Sequence, residues 1–256
     1  MRIIARLDIK NEDVIKGINF EGLRKVGQPS ILAHKYYDHG ADEIIYMDCV
    51  ASLYGRNSLE KLLTEAAKNI FIPIAVGGGI RTIDDASKLF SSGADKVAIN
   101  SSAIENPRIF FDLVNRFGGQ SIILSIEAKK IGKKKWAVFK NYGRDSTNID
   151  VIDWIKKISS YGVGEILLTS IDYEGLENGL DLELYEEASK TTNIPIIASG
   201  GFGKLEHLKD LNNSANIDAL AISSALHYNK CSIKDVKIFC EVNNIFVRSV
   251  WIKKLL

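Results

Sequence analysis

Cysteine is scarce in this chain. The three present in 256 residues, Cys49, Cys231 and Cys240, are too few and too scattered for a disulfide framework or a metal knuckle. They are expected to be reduced, mostly structural thiols of a cytoplasmic protein. Net charge is missing as well: Lys+Arg 33 against Asp+Glu 32 leaves +1, so no global field draws the chain to nucleic acid or to an anionic membrane. A local anion site stays open. No apolar run reaches the roughly eighteen residues of a membrane span. The N-terminal residues run directly into a strand-like segment, Arg2-Ile3-Ile4-Ala5-Arg6-Leu7-Asp8, without a basic-then-apolar signal layout. A Pro/Ser-rich linker and a composition break are also lacking, so 1–256 is expected to form one domain.

What is present alternates. Short runs rich in Ile, Val, Leu and Ala, at 3–9, 43–48, 73–76, 95–99, 121–126, 165–169, 194–198 and 217–222, have the near-continuous apolarity of strands buried on both faces. Amphipathic stretches at 30–39, 58–69, 82–92, 105–117, 150–161, 181–190, 204–213 and 232–243 read as helices. Eight strand–helix alternations imply a parallel sheet, and their number, at this chain length, favours closure into a (β/α)8 TIM barrel of the α/β class.

The chain also repeats itself. Ile72-Pro73-Ile74-Ala75-Val76-Gly77-Gly78-Gly79 recurs from Ile194 as Ile-Pro-Ile-Ile-Ala-Ser199-Gly200-Gly201, an offset of 122. Gly40-Ala41-Asp42-Glu43-Ile44-Ile45 is echoed from Gly162 at the same offset, Asp95 to Ala103 from Asp218 at about 123, and Ile3 to Asp8 from Ile122 at 119. Four matches in one order indicate two similar half-barrels, about 1–120 and 121–248, with a tail at 249–256. Such a period is too long for a short-repeat solenoid.

In barrels of this kind chemistry sits on loops at the carboxyl ends of the strands. The repeat places Asp8 and Glu127 at those ends of strands one and five, opposite each other. A carboxylate ending a buried apolar strand is costly unless used or paired, and two at symmetry-related positions read as an acid and a base flanking one substrate. Spacing alone leaves open which is which. Gly78-Gly79 and Gly200-Gly201, with Ser199, let backbone approach a ligand closely. Asn100-Ser101 and Ser223-Ser224 supply hydroxyls and N–H groups where the following helices start. Occurring in both halves, these are expected to form two phosphate grips holding a long ligand with a phosphate at each end.

Other features carry less. Lys10 to Pro29 is expected to be a long polar loop, a lid from which Lys16 either reaches an anion or stays solvated. Lys129 to Lys140 reads as a small basic hairpin, a solvated rim or a contact surface. Arg2, Glu43, Lys96 and Glu165, at the starts of strands one, two, four and six, are expected to form a salt-bridged ring at the barrel floor, either a plug or a selective passage. His34, His39, His207 and His227 are expected to be ordinary helix or surface histidines. The tail from Phe246 to Leu256 either packs on the barrel or makes an oligomer contact.

Taken together these motifs resemble the cyclase subunits of imidazole glycerol phosphate synthase. The likeness runs from Arg2 to about Arg248. It is carried by Arg2-Ile3-Ile4-Ala5 with Leu7-Asp8, Val14-Ile15-Lys16-Gly17 with Asn19-Phe20, Val76 to Ile80, Gly93 to Val97, Gly164 to Asp172, and Ile197 to Gly201. The resemblance implies a heterodimer with a glutaminase of the class I glutamine amidotransferase type. Ammonia would enter through a gate of Arg2, Glu43, Lys96 and Glu165. It would react with a ribulosyl formimino aminoimidazole carboxamide ribonucleotide bearing two phosphates, giving imidazole glycerol phosphate and aminoimidazole carboxamide ribonucleotide without metal or cofactor. Asp8 and Glu127 would be the catalytic pair. Lys16, Thr169, Glu174 and Gly175 would join the glycine and Asn/Ser positions in holding the phosphorylated substrate.

Three positions depart from the family pattern. Glu127 and Glu174 stand where Asp is usual, and Arg6 where a small or thiol residue is usual. One added methylene moves a carboxylate by roughly 1.5 Å, and misplacements near 1 Å cost on the order of a hundredfold in rate. These departures keep open a paralogue that feeds partner-derived ammonia to a sugar intermediate of surface-polysaccharide synthesis. A non-catalytic scaffold for a glutaminase is a further alternative.

Overall fold

The structure, a computed structural model, describes residues 1–51 and 59–249. In chain order its strands are β1 (Arg2–Lys10), β2 (Asp13–Ile18), β3 (Glu21–Gly27), β4 (Glu43–Asp48), β5 (Ile74–Gly77) and β6 (Lys96–Ile99). They continue as β7 (Ile122–Gly132), β8 (Lys135–Lys140), β9 (Asp145–Asp150), β10 (Glu165–Ser170), β11 (Ile196–Ser199) and β12 (Ala219–Ile222). Eight of them, β1, β4, β5, β6, β7, β10, β11 and β12, pair in parallel with their neighbours around a closed ring. Closure is made by β12 on β1, in the register Arg2↔Ala219 to Ala5↔Ile222. The fold is a TIM barrel, and β1 and β7 face each other across it.

Residue parity on each strand sorts core from bore. Ile3, Ala5, Leu7 and Ile9 of β1 pack outward in the large apolar layer, as do Ile122, Leu124 and Ile126 of β7. Ile4, Ile45, Ala75, Ala98, Ile123, Leu167, Ile197 and Ala219 form a separate cluster inside the ring. Since side chains alternate along a strand, Arg6 and Asp8 share the inward face with Ile4, and Glu127 shares it with Ile123.

The outer layer is closed by α1 (Pro29–Asp38), α2 (Glu60–Ala66), α3 (Ile83–Ser91), α4 (Ser101–Glu105), α5 (Arg108–Phe117), α6 (Val151–Ser159), α7 (Leu182–Thr191), α8 (His207–Ser214), α9 (Ser224–His227) and α10 (Ile233–Val242). Thr82 with Asp85, and Ser232 with Asp235, form reciprocal capping boxes that start α3 and α10. Each such cap contributes about 1 kcal/mol. The short α4 and α9 follow β6 and β12 and place Asn100 and Ser223 at their N-caps. Among the described residues no helix is long and apolar enough to cross a membrane.

The structure corrects the expected loop between Lys10 and Pro29. It is a hairpin: β2 pairs antiparallel with β1 through Ile9↔Val14, and β3 pairs with β2. The turns are made by Asn11, and by Asn19 with Phe20, all at positive φ. Asn tolerates this conformation, so the two asparagines were the available turn signals. The expected hairpin of the second half is present as β7–β8. Its lysines are not simply solvated: Lys130 and Lys134 pair with Glu183 and Glu187 of α7 at 2.5 and 2.7 Å. The helix reading 58–69 begins, and the tail 249–256 almost wholly lies, outside the described residues.

Candidate active site

The bore is built in layers from the floor upward. At the floor Arg2 donates to Glu43 (2.8 Å) and Glu165 (2.5 Å), while Lys96 donates to the same two carboxylates at 2.9 and 2.8 Å. The expected four-membered ring is therefore present, with each acid between two cations. Burial pushes the Glu43 carboxyl up, and its Oε1 has no hydrogen-bond partner. Above the ring lies the apolar cluster with its four small alanines, Ala75, Ala98, Ala219 and Ala221.

Arg6 lies above that cluster, fully enclosed. Its Nε donates to Asp8 Oδ1 at 2.9 Å, and its Nη1 donates to Thr169 Oγ1 at 2.8 Å and Ser199 Oγ at 3.0 Å. It adds a cation directly beneath Asp8. Asp8 is 0% exposed, and its second oxygen accepts from Lys16 Nζ at 3.3 Å. Lys16 also pairs with Glu174. Burial alone would raise Asp8, but Arg6 and Lys16 outweigh it and hold the carboxyl below its usual range. Lys16 thus reaches the site from β2, where its side chain is as buried as that of Arg6.

Glu127 ends the apolar part of β7, 6% exposed. No cation touches it among the described residues; it accepts the Gly143 N–H at 2.8 Å. Burial pushes its pKa up to about 7, against the opposing pull of that N–H and of Arg6. The two carboxyls lie on the inward faces of opposite strands with their pKa values shifted in opposite directions, the condition for acid and base work at one site.

The two expected grips differ. Gly78 and Gly79 at positive φ, with Asn100, Ser101 and Glu127, line an open cavity of about 100 Å³. A Cβ on Gly78 would stand 2.4 Å from the Asp48 carbonyl oxygen, so glycine is required there. In the second half Ser199, Gly200, Gly201, Ser223 and Ser224 are all buried. The loop after β10 covers the two glycines: Gly179 N–H donates to Gly201 O at 3.0 Å, and Gly200 lies against Ser170 and Glu174. Gly175, at positive φ, packs against Gly17 of the first hairpin, and Asn19 N–H donates to Glu174 O at 2.7 Å.

Two features escaped the sequence reading. Asn141 and Tyr142 turn β8 into β9 at positive φ, just as Asn19 and Phe20 turn β2 into β3, again at an offset of 122. The two aromatic rings meet over the mouth with centroids 4.2 Å apart; the repeat offset was the signal that would have found them. His227 is the second. It lies in α9, as a helix histidine, but is buried, with Nδ1 2.7 Å from Tyr36 Oη, and burial lowers its pKa to about 4, so the ring is neutral.

Comparison with known proteins agrees with this geometry. The family model described as "Histidine biosynthesis protein" matches residues 2–232. The chain is 55% identical over 206 residues to the imidazole glycerol phosphate synthase subunit HisF of Legionella pneumophila, covering 80% of this chain and 97% of the relative. It is 44% identical over 247 residues to the subunits of the same name from Hydrogenobaculum sp. (strain Y04AAS1) and Bacillus cereus (strain Q1), covering 96% of this chain and 98% of each relative. The chain belongs to the histidine biosynthesis protein family, among the cyclase (HisF) subunits of imidazole glycerol phosphate synthase.

Proposed function

We propose that the barrel mouth carries the cyclase reaction of histidine biosynthesis. Ammonia condenses with the ketone carbonyl of the two-phosphate ribulosyl formimino aminoimidazole carboxamide ribonucleotide, the carbonyl oxygen leaving as water, and the adduct closes to imidazole glycerol phosphate and releases aminoimidazole carboxamide ribonucleotide. The observation that carries this reading is the placement of Asp8 and Glu127 on the inward faces of opposite strands of one bore, Asp8 held low by Arg6 and Lys16 and Glu127 pushed up to about 7 by burial. Glu127 is the proton donor. Asp8, held as a carboxylate, stabilises positive charge on the adduct as ammonia adds and receives its proton.

Gly78, Gly79, Asn100 and Ser101 hold one phosphate. Lys16, Thr169, Glu174 and Gly175 join Ser199, Gly200, Gly201, Ser223 and Ser224 in holding the other. A glutaminase of the class I amidotransferase type docks beneath the barrel and supplies ammonia, which enters through Arg2, Glu43, Lys96 and Glu165. The balanced charge and three unpaired cysteines fit a cytoplasmic location. The test is turnover of the purified chain with an ammonium salt and this ribonucleotide. Both products are expected; a folded chain releasing neither at high ammonia would remove the reading.

Arg6 favours a second reading, in which the same bore and partner deliver ammonia to a sugar intermediate. Asp8 and two hydroxyls of the second-half grip are already engaged by Arg6. Direct competition between the two acceptors for one ammonia-fed chain separates the readings.

A further inference from the structure

Glu127, Thr169 and Ser199 stand in one row on three neighbouring strands. Thr169 of β10 is the register partner of Glu127 on β7 and of Ser199 on β11. All three share the inward parity of Ile123, Leu167 and Ile197. The next place in the row is Ala221 of β12, the strand between β11 and β1. A side chain that small lets Arg6 cross β12 from β1. Its Nη1 donates to both Thr169 Oγ1 (2.8 Å) and Ser199 Oγ (3.0 Å), while its Nε holds Asp8. Each hydroxyl therefore accepts from a cation and keeps its own proton to give. Neither proton has an acceptor among the described residues, and both side chains are 1% exposed. Buried donors are rarely left unpaired. Two of them, fixed side by side by one guanidinium on the arc between Glu127 and Asp8, make a place for a ligand oxygen.

We propose that Arg6 is a positioning residue for the carbonyl step, presenting the hydroxyl protons of Thr169 and Ser199 to the ketone oxygen of the ribonucleotide. As ammonia adds, its lone pair forms the C–N bond and the carbonyl π pair moves onto oxygen. The two hydroxyls donate to that oxygen where negative charge develops, and the Arg6 cation behind them polarises both O–H bonds. The new ammonium group passes one proton to Asp8, and Glu127, next in the row to Thr169, gives its proton to the oxygen. The product of the step is the neutral carbinolamine, which goes on to lose water. This role rests on the cyclase reading and deepens it. Within the second-half grip Thr169 and Ser199 serve the ketone, and the phosphate is left to the remaining groups.

The test measures ammonium-driven turnover of the ribonucleotide, and its affinity by titration calorimetry without ammonium. Thr169→Val, Ser199→Ala and the double variant are expected to lower kcat, by about a hundredfold in the double variant. Affinity is expected to change little, because these bonds strengthen only as charge develops. Arg6→Ala is expected to lower kcat as well, and to cost less in the double variant than in wild type, since part of its action passes through the two hydroxyls. Thermal melts identify a variant that fails to fold; Thr169→Val, which leaves Ser199 to hold Nη1, is the mildest of them. Where wild type turns the ribonucleotide over, folded hydroxyl variants with wild-type kcat, or with a loss confined to affinity, overturn the proposal. An undiminished Arg6→Ala loss in the double variant overturns the part given to Arg6. A folded wild type without turnover at high ammonia overturns the cyclase reading, and this role with it.

Discussion

Asp8 and Glu127 lie on strands at opposite sides of one ring, yet only Asp8 has a cation on each of its oxygens. Arg6 and Lys16 occupy them, while Glu127 receives a single backbone N–H. Equal burial therefore has opposite results: Asp8 stays ionised and Glu127 stays protonated up to about pH 7.

That difference predicts a pH dependence of stability. Glu127 is raised in the folded chain from 4.5 to about 7, so its contribution is full below the unfolded value and is lost as pH rises through about 7. The loss is about 3 kcal/mol. Asp8, lowered in the folded chain, contributes above its ordinary value of 3.8 and loses that contribution as pH falls. Urea unfolding at pH 5 and pH 8 is expected to show wild type less stable at pH 8 from this group. Glu127→Gln should remove most of the difference; an equal difference in that variant would contradict the assignment.

The floor predicts a second effect. Lys96 is the less exposed of the two cations that join Glu43 to Glu165. Lys96→Met leaves both acids with Arg2 alone, and Glu43 is almost wholly buried. Breaking a buried pair from one side costs about 3–5 kcal/mol. The expected outcome is a lower melting temperature at neutral pH, partly recovered at acid pH where Glu43 is neutral. An unchanged melting temperature would show the ring to be energetically idle.

Glycine at 78 predicts a local effect. Gly78→Ala meets the Asp48 carbonyl at 2.4 Å and a φ of +102 that L side chains rarely adopt. A cost of about 2–4 kcal/mol is expected, together with weaker phosphate binding. Gly22→Ala, also at positive φ but with no atom within 4 Å of the added Cβ, should cost about 1 kcal/mol. Equal losses in the two variants would assign the effect to backbone strain rather than to the close approach.

Much of this was legible in the sequence, and the limits have physical causes. The strand read at 43–48 is β4 to the residue, and the others shift by one or two residues, because strands buried on both faces have few polar interruptions; β7 alone among them runs six residues past its expected end, into the exposed hairpin. Asp8, Glu127 and the floor ring could be placed because the repeat fixes which strand end each residue occupies. The hairpin from Asp13 to Gly27 was read as loop because its second strand is largely exposed and polar, so no apolar alternation marks it. The unequal grips could not be read at all. Spacing shows which backbone positions correspond, but the reach of Arg6 to Thr169 and Ser199 is set by a side chain crossing between strands distant in the chain.

The most direct measurement is the pH profile of ammonia-driven turnover, taken with free ammonia held constant. With Glu127 as the proton donor, the rate should fall as pH rises through about 7, and Glu127→Gln should lose both the limb and most of the activity. A profile flat across that range, or a Glu127→Gln chain that keeps the wild-type rate and limb, would contradict the account.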